Sequence, residues 1–131
     1  MSTGLAYKIL GNGKVVITGR GNCTEKNIVI PDKIDGYIVV AIDSDAFRYD
    51  KDLVSMQIAN TIVHIGDCAF YECKNLKYLK IPEETYIIGD HAFACCNKLQ
   101  HIIFGCIDQL EWFGKDVFYC SKNIKTIEIN R

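Results

Sequence analysis

Apolar residues recur along the chain in a fixed phase. Ala46-Phe47, Ala69-Phe70 and Ala92-Phe93 stand 23 residues apart, and Val117-Phe118 follows after 25. The same register holds for Leu53, Leu76, Leu99 and Ile124, for Met56, Leu79, Ile102 and Ile127, for Ile58, Ile81, Phe104 and Ile129, and for Ile42, Ile65, Ile88 and Phe113. Self-similarity at a period of this size identifies stacked repeats, each too small to bury its own apolar side. The two-residue excess lies between Phe104 and Phe113, which places a bulge over Gly105 to Trp112. Within each unit, Leu53-x-x-Met56-x-Ile58 and its equivalents end in period-two alternation, which predicts a short strand with one buried face. Pro82 after Ile81 and Pro31 after Ile30 turn the chain off the sheet, because proline offers no ladder donor. Gly66, Gly89 and Gly114 follow the fourth apolar column, where a turn or close backbone approach is expected. The Ala-Phe segments that come next read as single helical turns whose Phe fills the interior.

The ends depart from the period. Tyr7 to Leu10, Gly11-Asn12-Gly13 and Lys14 to Thr18 predict a β-hairpin covering the first rung. Asn27 to Ile30 predicts a strand in phase with Ile58, and Asp35-Gly36 a turn before Tyr37 to Val40. The expected organisation is one domain: a hairpin cap over 1–23, an opening repeat over 24–52, repeats over 53–75, 76–98 and 99–123, and a terminal strand over 124–131. That last strand, read as uncovered, is an edge available for pairing.

These residues resemble the BspA-like (Treponema-type) leucine-rich repeats, whose pattern runs Leu-x-x-Ile-x-Ile-Pro and then Ile-Gly-x-x-Ala-Phe-x-x-Cys-x-x-Leu. Here it stands as Leu76-x-x-Leu79-x-Ile81-Pro82, then Ile88-Gly89-x-x-Ala92-Phe93-x-x-Cys96-x-x-Leu99. Ile30-Pro31, Gly36 and Val40-x-Ile42 are similar to the approach to the first repeat in such proteins, and the likeness covers roughly residues 24 to 129. Departures are Asp43 for the Gly, Asp50 for the Cys and Ala59 for the Pro, together with the displaced Cys120. The resemblance implies an α/β leucine-rich-repeat solenoid, short and right-handed, with a parallel sheet on its concave face. It also implies surface, adhesion or host-contact roles.

Composition narrows the partners. The 131 residues carry 15 Lys plus Arg against 16 Asp plus Glu, and no basic run, so the counterion-release drive behind nucleic-acid binding is missing. No apolar stretch approaches the ~20 residues of a membrane span, so membrane insertion is not expected. Met1-Ser2-Thr3-Gly4 and the polar-punctuated residues after it do not read as a signal peptide. The compartment therefore stays open between the cell surface that the resemblance implies and a reducing cytosol that would suit many thiols.

Seven cysteines cannot all pair internally. Cys73 and Cys96 share one column and Cys95 and Cys120 another, with no Cys-x-x-Cys pair, which favours packed structural thiols. A disulfide between neighbouring rungs and a zinc site with His91 are the alternatives. Cys106 beside Trp112 reads as the most exposed thiol, with Cys23 second. His64, His91 and His101 fall in different columns and do not converge on a nucleophile, so no catalytic residue, metal ligand or cofactor site is assigned. What remains is the outward face of the strands: Asn27 and Val29, Ser55 and Gln57, Tyr78 and Lys80, His101 and Ile103, Thr126 and Glu128. Tyr78, Lys80, His101 and Ile103 are the candidate binding residues for a protein partner on the concave face. Apolar and aromatic groups there exceed what solubility alone favours. The expected function is a non-enzymatic interaction module; the second reading is an architectural repeat segment with no ligand of its own, or one that self-associates through the terminal strand.

Overall fold

Strand follows strand with no helix among the described residues, which are residues 1–130 of a computed structural model. The strands are β1 (Ala6–Gly11), β2 (Lys14–Gly19), β3 (Asn27–Val29), β4 (Lys33–Ile34), β5 (Tyr37–Ile42), β6 (Ser55–Gln57), β7 (His64–Ile65), β8 (Tyr78–Ile81), β9 (Ile87–Ile88), β10 (His101–Phe104), β11 (Trp112–Phe113) and β12 (Thr126–Ile129). They alternate between two sheets. One is five-stranded in the order β12-β10-β8-β6-β3, and the other runs β1-β2-β5-β7-β9-β11 with β4 paired to β5. The result is a β-solenoid, and the α/β class is not supported. Arg131, the last residue of the expected 124–131 segment, lies outside the described residues.

The period translates directly into register. In the five-stranded sheet all neighbours are parallel, and from β6 onward each pairing joins equivalent residues of successive repeats: Ser55 to Tyr78, Tyr78 to His101, and, across the two-residue excess, His101 to Thr126. Inward residues Met56, Leu79 and Ile102 are fully buried, while their sequence neighbours face out. β1 and β2 form the expected antiparallel hairpin around Gly11, Asn12 and Gly13, all with positive φ, and β2 then pairs parallel with β5. A second sheet was not foreseen. From Ile65 onward the fourth apolar column belongs to two-residue strands, and pairs too short to show alternation carry no strand signature of their own.

The expected helical turns are replaced by a different construction. Each Ala-Phe segment has a left-handed residue two positions before the Phe and another two after: Asp45 and Tyr49, Cys68 and Glu72, His91 and Cys95, Asp116 and Cys120. A left-handed residue cannot continue a right-handed helix. Amides there alternate in direction. Asp45, Phe47 and Tyr49 donate to carbonyls of Asp67, Ala69 and Tyr71 in the next rung, while Ala46, Arg48 and Asp50 donate three residues back within their own rung. Half of the donors thus close turns and half join rungs, which leaves this backbone satisfied without helix or sheet.

Inside, Phe47, Phe70, Phe93 and Phe118 form one stack with centroid separations of 5.4, 5.1 and 5.7 Å. The Gly column is a matter of space. A Cβ on Gly66 would lie 2.4 Å from the Ser44 nitrogen, and one on Gly114 would lie 2.5 Å from the Asp90 nitrogen. Gly105 obeys the same rule, 2.4 Å from the Glu83 nitrogen, so the bulge begins only after it. By Glu111 the chain is back on the ladder, donating to the Tyr86 carbonyl.

Candidate functional site

The face expected to bind a partner is assembled as two columns on the five-stranded sheet. One runs Asn27, Ser55, Tyr78, His101, Thr126, and the other Val29, Gln57, Lys80, Ile103, Glu128. Tyr78, Lys80 and His101 are exposed and Ile103 is half-buried, so all four candidate residues lie on one continuous surface. Polar neighbours hold one another along the first column. Ser55 Oγ donates to Asn27 Oδ1 at 2.7 Å, and the His101 Nδ1 lies 2.6 Å from Thr126 Oγ1. Tyr78 stands between these pairs, 36% exposed. In the second column Ile103 sits between Lys80 and Glu128, an apolar spot flanked by opposite charges.

The thiols divide into two kinds. Cys73 and Cys96 are fully buried, and their Sγ atoms donate to the Phe47 and Phe70 carbonyls at 3.0 and 3.2 Å. Burial pushes the Cys73 thiol well above its usual range and the Cys96 thiol up to about 12, so neither is a nucleophile at neutral pH. In the next rung Ser121 takes this position, its Oγ donating to the Phe93 carbonyl at 2.7 Å. In the first rung Asp50 holds it and receives the Arg20 guanidinium at 2.9 Å. The column therefore calls for a small polar group, which explains two departures from the repeat pattern. Cys95, Cys120, Cys68 and Cys106 are partly exposed, whereas Cys23, expected to be accessible, is buried with Leu5 and Ile28 in the core. All seven cysteines are free thiols.

Sequence reasoning missed a second outward column, on the other sheet: Ala41, His64, Ile87 and Trp112, in line with the buried Val16 of β2. Its signal was the residue just before each member of the fourth apolar column. It ends at Trp112, 56% exposed beside the 47% exposed Phe113. A cleft of about 390 Å³, lined by Met1, Leu5, Tyr7, Pro31, Lys33 and Ile34 among others, lies near the hairpin, away from the candidate residues.

A model of the BspA type leucine rich repeat region (6 copies) matches residues 40–131. The chain belongs to this leucine-rich repeat family. Solved structures share its fold. A leucine-rich repeat protein from Bacteroides capillosus is 22% identical with a TM-score of 0.84, covering 98% of this chain and 95% of the other. The leucine-rich repeat protein of T. pallidum is 22% identical with a TM-score of 0.76, over 95% of this chain and 68% of that one. A leucine rich cell surface protein from Faecalibacterium prausnitzii is 21% identical with a TM-score of 0.65, and this chain spans 98% of itself but 42% of that protein. No curated protein matches the chain. In BspA-type terms, the Ala-Phe and Cys columns are framework, and the outward strand residues are what differs from rung to rung.

Proposed function

We propose that this chain is a non-enzymatic protein-interaction module that holds a protein partner on the outward face of the five-stranded sheet. The observation that carries the reading is the in-register surface formed by Tyr78, His101, Lys80 and Ile103, where aromatic, apolar and charged groups lie side by side. Repeat proteins bind along such extended faces, and a Tyr with one polar end and one apolar ring suits them. In this reading the coil is right-handed, as parallel strands joined by crossovers are. The five-stranded sheet is its concave side, and the β1–β2 hairpin closes its N-terminal end. On this reading the module acts at a cell surface, in adhesion or host contact, and one similar structure is a leucine rich cell surface protein of F. prausnitzii.

The test begins with binders selected from a displayed peptide library against the whole chain. Tyr78→Ala and His101→Ala are each expected to weaken the selected binders by about tenfold, as truncation of an anchor residue does. Tyr49→Ala, on the turn side, serves as the control and is expected to leave affinity unchanged. Equal affinity for all three variants and the parent would overturn the assignment.

A second reading, self-association, is favoured by the edges of β11 and β12. Among the described residues each has a strand on one side only, and Trp112, Phe113, Ile127 and Ile129 are exposed there by 56, 47, 51 and 41%. On this reading, light scattering shows a concentration-dependent rise above 14.8 kDa that Ile127→Lys abolishes. A monomer at all concentrations disposes of it.

A further inference from the structure

Cys95 and Cys120 form a pair unlike the other thiols. They occupy the same position in neighbouring rungs, and the Cys95 amide donates to the Tyr119 carbonyl at 2.7 Å, which sets the two residues side by side. Both are left-handed, at φ 57 and 61, so their Cα–Cβ bonds leave the ladder in the same direction. Equivalent Cα atoms of laddered neighbours lie about 4.8 Å apart. That falls within the roughly 4.4–6.8 Å that a disulfide spans. The two thiols lie close enough for the charge of one to act on the other, and Tyr71 stands within the same reach of Cys95 and Tyr119 of Cys120. Both sulfurs belong to partly exposed residues on the turn side, clear of the Tyr78 and His101 face.

Cys73 and Cys96 are the internal comparison. They too lie one period apart in adjacent rungs, but both are fully buried and spend their S–H groups on the Phe47 and Phe70 carbonyls. A reagent in water has no path to them, and oxidation would break two buried hydrogen bonds.

We propose that Cys95 and Cys120 form a cross-rung dithiol site that low-molecular-weight disulfides oxidise to an intramolecular disulfide. One thiol loses its proton and attacks a sulfur of the small disulfide, releasing one small thiol and leaving a mixed disulfide. The second protein thiol then attacks the protein sulfur of that bond and expels the other small thiol. The two protein thiols and one disulfide thereby become one protein disulfide and two small thiols. The product staples the last two Phe turns across the ladder and leaves the proposed binding face untouched.

The experiment exposes the intact chain to oxidised glutathione under native conditions and maps the products by non-reducing peptide mass spectrometry. The expected product has lost two hydrogens, carries a linked Cys95–Cys120 peptide pair, and retains free Cys73 and Cys96. Cys120→Ser removes the resolving thiol, so glutathione is expected to stay on Cys95 as a stable mixed disulfide. The linked chain is expected to unfold roughly 5 °C higher than the reduced one. The proposal is overturned if the parent chain accumulates glutathione on Cys95 and Cys120 separately. It is equally overturned if both stay reduced while Cys106 is modified, or if Cys73 and Cys96 link instead. An unchanged midpoint in fully linked protein would remove the stapling role.

Discussion

Phe70→Ala is expected to destabilise the chain by about 3–5 kcal/mol, the usual cost of deleting a buried aromatic ring. Phe70 is fully buried and stacked on both sides, 5.4 Å from Phe47 and 5.1 Å from Phe93, so nothing can collapse into its place without breaking the column. Small domains have a total stability of about 5–15 kcal/mol. The variant should therefore sit close to unfolding at room temperature. Urea titration followed by circular dichroism measures it. Phe118→Ala is the companion, since that ring is half-buried at the end of the stack and is expected to cost about half as much. Equal losses at the two positions would mean that the stack does not act as a continuous column.

Gly89→Ala should cost about 2–3 kcal/mol, although it adds a single methyl group. A Cβ there would lie 2.4 Å from Asp67 Oδ1, 2.5 Å from the Asp67 nitrogen and 2.7 Å from the Gly66 carbonyl carbon. The Asp67 carboxylate cannot simply swing aside, because it accepts the Asp90 amide at 2.8 Å. The neighbouring rungs would have to part. Gly36→Ala separates this contact cost from backbone conformation. Gly36 has φ 83 with nothing near the added carbon, so its expected cost is the left-handed penalty of about 1 kcal/mol. Chemical denaturation of both variants provides the comparison, and a Gly89 loss no larger than that of Gly36 would refute the close-approach account.

The spacing of apolar columns was enough to place Tyr78 beside His101 and Lys80 beside Ile103, because strand parity and a constant period leave a single register. The turns were not legible in the same way. Left-handed backbone is usually announced by Gly or Asn, yet here it falls on Asp45, Tyr49, Cys68, Glu72, His91, Cys95, Asp116 and Cys120, whose conformation comes from the ladder around them rather than from local preference. The hydrogen bonding of the Cys column was not legible either. Only the carbonyl beneath each thiol shows that its S–H is used as a donor, and only then do Ser121 and Cys96 look alike. The candidate face shows the limit most clearly: parity tells which side chains point outward, and nothing in the period says what meets them.

The one-turn offset between partnered residues has a consequence for how such a chain finds its structure. Tyr78 meets His101, Phe70 meets Phe93, and His64 meets Ile87, always across a single turn of the coil. The entropy of bringing partners together is thus set by one turn and not by total length. Rungs can be added or lost without lengthening the search for any contact, so array size is free to vary while folding speed stays tied to the single rung.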